Sequence, residues 1–168
     1  VEELSFYSFG LGADGAALLG DMLMVNKTLK TLILFKTAIS AAGAASLAAA
    51  LAVNASLEVL DLDCNEIGDD GVVSIAGALK TKNTALTTLY LRGCAVGDAG
   101  AISLADGLKN NNSLTELNLS WNNIADAGAV SLAGALIVNT SLTKLELHNN
   151  KIGDQGGLAL ANAIEHPS

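Results

Sequence analysis

One pattern returns six times along the 168-residue chain, at intervals of about 28 residues, and leaves no segment outside it. The copies span residues 1–28, 29–56, 57–85, 86–113, 114–141 and 142–168. A unit this short cannot bury an apolar face by itself, so neighbouring copies must stack and share one continuous core. The repeat therefore predicts a single domain over residues 1–168, built from six similar units.

Each copy begins with a strand pattern and ends with a helix pattern. In the fifth copy, Leu117 and Leu119 flank Asn118, which is the alternation of a strand with one buried face. Later in that copy, apolar residues return at helical spacing, as at Leu132 and Leu136. Stacked strand–helix units predict a parallel sheet lined by helices, and the sheet must curve because helices are wider than the strand spacing.

The ninth residue of each copy lies in the turn that follows the strand. Three copies carry asparagine there, namely Asn65, Asn122 and Asn150. An asparagine side chain can bond backbone groups that the turn would otherwise leave buried and unpaired. Thr37 and Cys94 are weaker substitutes, and the Phe9 side chain cannot supply such bonds. We predict a ladder of turn residues that does not extend into the first copy.

The fifth copy reads Leu114-x-x-Leu117-x-Leu119-x-x-Asn122-x-Ile124, and the sixth copy has the same spacing. This pattern resembles the leucine-rich repeat. The period and the Ala-rich helical half are similar to the ribonuclease-inhibitor-like subclass and to the repeat domains of NOD-like receptors. The resemblance implies an α/β leucine-rich-repeat solenoid, a horseshoe with its parallel sheet on the concave face and its helices on the convex face. It also implies protein binding through the concave sheet, without enzymatic activity.

Acidic residues and glycines recur near the start of each predicted helix. Four aspartates fall where they either cap their helix or lie in its first turn, against the positive end of the dipole: Asp69, Asp98, Asp126 and Asp154. Ser40 suggests a cap one residue earlier in the second copy. One glycine row suggests close packing, because a side chain there would push the helix off the strand layer: Gly15, Gly43, Gly71, Gly100, Gly128 and Gly156.

The variable strand positions point away from the core and form the concave face. Large apolar groups and charges collect there, and every Tyr and Trp of the chain is among them. Exposed aromatic and arginine side chains are typical anchors of protein interfaces. We predict a partner-binding set of Tyr7, Ile33, Phe35, Asp61, Asp63, Tyr90, Arg92, Trp121, Glu146 and His148. The alternative is that aromatics and opposite charges on neighbouring strands only pair with each other.

Sequence motifs for phosphate binding, metal binding and hydrolysis are absent or incomplete. No glycine-rich phosphate loop follows a strand, and His148, His166, Cys64 and Cys94 do not have metal-ligand spacing. Ser120, His148 and Glu146 could be drawn as a hydrolytic triad, but an open sheet offers no oxyanion hole. We therefore expect no enzyme, no cofactor and no metal site.

Composition and net charge restrict the kinds of molecule that this chain can bind. The net charge of −8 opposes nucleic-acid binding, and the sequence contains no apolar stretch that could span a membrane. Two cysteines and the absence of a signal peptide favour the cytoplasm. Asn26, Asn54, Asn111 and Asn139 match the glycosylation sequon, but their recurrence before each strand indicates a turn preference.

The sequence favours an intracellular protein–protein interaction module. Two alternatives remain open, namely an inhibitor of a basic enzyme such as a ribonuclease and a structural or self-assembling spacer. Neither end of the chain has a polar capping unit, so we expect a fragment of a larger protein whose uncapped ends would also allow self-association.

Overall fold

The computed structural model describes residues 1–81 and 85–165, so His166 lies outside the described residues. Within these ranges six strands alternate with six helices. The strands are β1 (Glu3–Tyr7), β2 (Thr31–Phe35), β3 (Val59–Asp61), β4 (Thr88–Tyr90), β5 (Glu116–Asn118) and β6 (Lys144–Glu146). The helices are α1 (Gly12–Val25), α2 (Ala41–Leu51), α3 (Gly68–Leu79), α4 (Asp98–Leu108), α5 (Asp126–Val138) and α6 (Asp154–Glu165). The predicted strand–helix solenoid is thereby confirmed.

The strands form one open parallel sheet in the order β1-β2-β3-β4-β5-β6. Each strand pairs with the next in register, so equivalent positions of successive copies are neighbours, as in the pairing of Leu60 with Leu89 and of Leu89 with Leu117. The backbone hydrogen bonds continue beyond the strand ends, for example from Cys64 N–H to Arg92 O at 2.7 Å.

The core lies between the sheet and the helices. The repeated leucines of β2 to β5 are fully buried, and helix residues such as Leu47, Ile75, Leu104 and Leu132 close over them. Each helix packs on the helix of the next copy, so the apolar layer is continuous along the solenoid. Burial of this layer supplies the main stabilisation, at about 25 cal/mol per Å² of apolar surface.

The turn asparagines join adjacent copies. Asn122 Oδ1 accepts hydrogen bonds from the N–H groups of Cys94 and Val96, each at 3.0 Å. Its Nδ2 donates to Leu91 O at 2.8 Å and to Leu119 O at 3.0 Å. The Asn122 side chain therefore forms hydrogen bonds both to the turn of the preceding copy and to the end of the strand in its own copy.

Asn65 and Asn150 make equivalent bonds, while the two substitutes use shorter side chains. Asn65 accepts from Thr37 N–H and Ile39 N–H, and Asn150 accepts from Ile124 N–H.

The Thr37 hydroxyl donates to Leu34 O at 2.8 Å, and the Cys94 thiol donates to Leu62 O at 3.2 Å. Phe9 in the first copy is exposed.

A second set of asparagines follows the helices. Asn54 is buried, and its Oδ1 accepts from Ser56 N–H and Leu57 N–H, which forms the predicted turn. Its Nδ2 also donates to Leu23 O at 2.7 Å and to Asn26 O at 3.0 Å, so that it caps the helix of the preceding copy. Asn111 and Asn139 make corresponding bonds. These bonds explain the recurrence of asparagine as a structural requirement.

The helix-start aspartates lie in the first turn of their helices, which confirms one of the two predicted placements. The N-cap residues of α1 to α5 form no side-chain cap hydrogen bond within the described residues, so the cap expected at Ser40 is wrong. Instead, Asp98 Oδ1 accepts from the N–H groups of Ala125 and Gly128, both at 2.8 Å. Asp69 and Asp126 do the same for α4 and α6. The carboxylates of Asp69, Asp98 and Asp126 therefore each cap the helix of the following copy.

The glycine row marks close packing between copies. A Cβ atom on Gly128 would lie 2.7 Å from Asp98 Oδ1 and 2.9 Å from Ala101 Cβ, and a Cβ atom on Gly43 would lie 2.9 Å from Ala16 Cβ. The neighbours are the preceding helix and an apolar side chain of the same copy. The close packing was predicted correctly, but from the second copy onward the preceding helix excludes a side chain together with an apolar residue of the same copy.

Candidate functional site

The register brings the predicted partner-binding residues onto one face of the sheet, opposite the helices, which we call the concave face. Across the strands the fifth positions run Ser5, Ile33, Asp61, Tyr90, Asn118 and Glu146. The seventh positions begin with the pairing of Tyr7 and Phe35. Beyond the strand ends they continue through backbone bonds to Asp63, Arg92, Ser120 and His148.

An apolar patch lies on the first two strands and consists of Tyr7, Ile33 and Phe35. The rings of Tyr7 and Phe35 have their centroids 6.4 Å apart and are tilted by 44°. Tyr7 nevertheless keeps 62% of its surface exposed. Cross-strand pairing therefore covers only part of the aromatic surface, and the rest faces solvent.

Two carboxylates follow on β3 and directly after it. Asp61 Oδ1 accepts from Asp63 N–H at 2.8 Å, and Asp63 Oδ1 accepts from Arg92 N–H at 2.7 Å. Partial burial raises the pKa of Asp61. Burial raises the pKa of Asp63 to about 6, with a smaller upward contribution from Asp61, although the Arg92 N–H opposes the shift. Among the described residues, neither carboxylate belongs to an ion pair.

Replacing Asp63 with asparagine is expected to stabilise the fold at neutral pH, by about 1 kcal/mol once solvent screening is allowed for. The native carboxyl has a pKa of about 6, above its ordinary value of 3.8, so the folded state binds the proton more tightly than the unfolded state. Stability contributed by this group is therefore lost as pH rises from about 4 to about 6. Asparagine keeps the Oδ1 acceptor for Arg92 N–H.

Urea unfolding of both proteins across this pH range measures the effect. The advantage of Asp63→Asn should disappear below about pH 4, where aspartate is protonated in both states. An advantage of equal size at both ends of the range would contradict the assignment to this carboxyl.

Trp121 occupies a left-handed backbone position. The eighth residue of every copy has a positive φ between 53° and 64°, in the order Ser8, Lys36, Cys64, Gly93, Trp121 and Asn149. Glycine and asparagine suit this conformation, whereas a bulky residue is strained by roughly 1–2 kcal/mol. Trp121 is still 55% exposed, with the Arg92 guanidinium 5.7 Å from its ring centroid. Packing alone does not account for a tryptophan at this position.

The C-terminal part of the face carries a closed polar network. Lys144 Nζ lies 2.7 Å from Glu116 Oε1 and 2.8 Å from Glu146 Oε1. Asn118 Nδ2 donates to Glu146 Oε2 at 2.7 Å. Partial desolvation raises the pKa of Tyr90, with further contributions from the charge of Glu116 and a hydrogen bond to it. These contacts favour the alternative that Glu146 pairs with residues of neighbouring strands. Lys144, Glu116 and Asn118 lie outside the predicted partner-binding set.

Ser120 and His148 are in contact, with Ser120 Oγ 2.9 Å from His148 Nδ1. Ser120 is fully buried, and both carboxylate oxygens of Glu146 are engaged by Lys144 and Asn118. A buried hydroxyl cannot attack a substrate on an open face, so the arrangement provides no nucleophile. The contact follows from the register of the two copies.

The structure also bears on the cysteines, on metal binding and on membrane-spanning helices. Cys64 is exposed and Cys94 is buried, and burial raises the pKa of the Cys94 thiol to about 12. Across residues 1–81 and 85–165 there is no group of three or more potential metal ligands. In the same part of the chain no helix has the length and apolar character needed to cross a membrane.

By its fold, this protein is an α/β solenoid with an exposed parallel sheet. The Leucine Rich repeat family model matches residues 25–48, 53–76, 82–105, 110–133 and 138–161, which is more than half of the chain. The chain belongs to the leucine-rich repeat family. The ribonuclease-inhibitor-like subclass remains a prediction.

Solved structures with the same fold include two proteins of similar size. A leiomodin-1 fragment described as actin-binding site 2 is 18% identical with a TM-score of 0.58, and the alignment covers 99% of this chain and 80% of that one. The tropomodulin C-terminal domain from Caenorhabditis elegans is 15% identical with a TM-score of 0.60, and the alignment covers 99% and 84%. At these identities the similarity shows the fold alone. No curated protein matches the chain significantly.

Proposed function

We propose that this chain is a protein-binding module that recognises its partner through the concave face. The observation that carries the proposal is Trp121, a large aromatic side chain held exposed in a strained left-handed conformation. Every copy has the left-handed conformation at this position, and in the fifth copy a bulky, exposed aromatic side chain occupies it although glycine and asparagine suit it better. Tryptophan and arginine are also the side chains that most often dominate binding energy at protein interfaces.

The surroundings of Trp121 support this function. Arg92 lies against its ring, and the apolar patch occupies the other end of the same face. Leiomodin-1 supplies a parallel, since its similar fragment is named for an actin-binding site. The proposal assigns recognition to this face, with no catalysis and no cofactor, in a cytoplasmic setting.

Replacing Trp121 with glycine is expected to weaken partner capture by at least about tenfold, while the free energy of unfolding stays within about 1 kcal/mol of the starting protein. The glycine relieves the left-handed strain, which offsets the packing lost from a half-exposed ring. Affinity capture from a lysate of the source organism, followed by quantitative mass spectrometry, measures binding, and urea unfolding measures stability.

Ile102→Ala is the matched control, because Ile102 is an exposed apolar residue of α4 on the convex side. It should leave the captured proteins unchanged. Equal capture by the Trp121→Gly variant and the starting protein would exclude the tryptophan as an anchor. Loss of capture in the Ile102→Ala variant alone would move the binding site to the helices.

The two alternatives predicted from the sequence differ in measurable ways. An inhibitor of a basic enzyme requires a captured protein whose activity falls on binding. A self-assembling spacer requires a molecular mass that rises with concentration in light scattering. We give the protein-binding module precedence because Trp121 and Arg92, which are in contact, follow β5 and β4 in the fifth and fourth copies, and neither lies in a terminal copy of the solenoid.

A further inference from the structure

Asp61 and Asp63 form no ion pair with a cation of the described residues. Oδ1 of each carboxylate accepts a backbone N–H, and among the described residues Oδ2 of each has no hydrogen-bond partner. The charged groups that influence Asp63 most are Asp61, Arg92 and Glu146, two of which are also anionic. Lys36, from the neighbouring copy, makes no ion pair with either carboxylate within the described chain.

Arg92 does not neutralise the pair. Its guanidinium lies over the Trp121 ring, and among the described residues its hydrogen bond to Asp63 comes from the backbone N–H. Lys144, the other cation of this half of the face, is bound between Glu116 and Glu146. The negative charge at β3 is therefore only partly compensated by Arg92, although the carboxylates are partly withdrawn from water.

The apolar patch adjoins these carboxylates directly. Ile33 pairs with Asp61 in the sheet register, and Phe35 occupies the corresponding position beside Asp63. Adjacent strands are about 4.8 Å apart, and alternate residues of an extended peptide are about 6.6 Å apart. A segment that crosses the strands can therefore place one side chain on the patch and another at the carboxylates.

We propose that a basic, aromatic-containing extended segment of a partner protein binds to the concave face. This inference rests on the proposed function. A Lys or Arg of that segment lies between Asp61 and Asp63, and an aromatic residue two positions away packs on Ile33 and Phe35. Charge complementarity selects the cation, and the exposed apolar patch selects its aromatic neighbour.

The probe for this proposal is the peptide acetyl-Gly-Phe-Gly-Arg-Gly-amide, titrated into the full chain at neutral pH and followed in amide NMR spectra. The expected result is a set of shift changes confined to residues 33, 35, 61, 63 and 92. Replacing the arginine of the peptide with uncharged citrulline, or its phenylalanine with alanine, should weaken binding by about tenfold each.

The protein variant is Asp61→Asn with Asp63→Asn, which keeps both Oδ1 acceptors for the backbone and removes only the charge. It should lose affinity for the arginine peptide by about tenfold and retain its weak affinity for the citrulline peptide. Asp106→Asn is the control, because this aspartate pairs with Lys80 on the helix side of the molecule. It should bind the peptide as the starting protein does.

Three results would overturn the proposal: no shift changes at any soluble peptide concentration, equal binding of the citrulline peptide, or shift changes that map to the helices. The capture experiment on Trp121 is independent of these outcomes. A partner lost in the Trp121→Gly variant but captured equally by the asparagine double variant would leave the protein-binding function standing and exclude the basic segment.

Discussion

Replacing Asn122 with alanine is expected to lower the free energy of unfolding by about 4 kcal/mol. The substitution leaves the N–H groups of Cys94 and Val96 without an acceptor, and the carbonyl groups of Leu91 and Leu119 lose a donor. Leu119 O keeps a hydrogen bond from Asn150 Nδ2 at 2.8 Å, so three buried groups are left unpaired, and each unpaired buried group costs about 1–3 kcal/mol. Urea or thermal unfolding monitored by circular dichroism measures the loss.

Asn123→Ala provides the matched control. Asn123 is the next residue in the chain and is exposed, and only its backbone takes part in a hydrogen bond, from Asn123 N–H to Val96 O. Its replacement should change stability by less than about 0.5 kcal/mol. A similar loss in both variants would mean that the turn depends on backbone conformation, and the side-chain ladder would then carry little of the coupling between copies.

Two glycines of α5 are expected to respond to alanine with opposite signs. Gly128→Ala should destabilise the protein by about 3 kcal/mol, because its Cβ would lie 2.7–2.9 Å from Asp98, Ile124 and Ala101. The displaced Asp98 carboxylate would also lose its hydrogen bonds to the start of the helix. Gly134→Ala should stabilise the protein by about 0.5–1 kcal/mol, because its Cβ would point into open space.

Unfolding of the two variants under one set of conditions tests this prediction, and each serves as the control for the other. The helix and the substitution are identical, so the difference isolates packing against the preceding copy from helix propensity. Two changes of the same sign would show that the helices can move apart enough to accept a methyl group at residue 128.

These effects have a common origin in bonds that join one copy to the next. Asn122 serves the preceding turn, Asp98 caps the following helix, and Asn54 caps the preceding one. In a solenoid, the stability of each unit depends on such contacts with its neighbours. A substitution at one of these residues should therefore weaken two copies at once.

Two residues of the concave face have features that oppose folding, although other bonds on this face join one copy to the next. Trp121 has an exposed ring in a strained conformation, and ionised Asp63 is less stable in the folded protein than in water. Both features reduce the stability of the isolated chain. Residues that a fold retains at such a cost are the expected ones for binding another molecule.

Much of the concave face could be derived from the repeat alone. The period of 28 or 29 residues aligned Asp61 with Tyr90 and Glu146, and the strand register has the same alignment. The left-handed eighth position was not predicted, although Gly93 and Asn149 in that row were a signal for it. The cross-strand pair of Glu116 with Lys144 follows from the same alignment, but the bonds from Lys144 and Asn118 to Glu146 do not, because side-chain rotamers decide which of several neighbouring groups meet.

The sequence by itself determined the repeat, the order of strands and helices, and the residues that share the sheet face, because these follow from local periodicity along one chain. Only the tertiary structure decided which groups the polar side chains bind. Asp98 lies in the first turn of its own helix, as the sequence predicts, but its carboxylate bonds backbone groups 27 and 30 positions further on, which the sequence does not predict. Such bonds exist only after the copies have stacked, since stacking brings donors and acceptors about one repeat apart into contact and removes the water that would otherwise satisfy them.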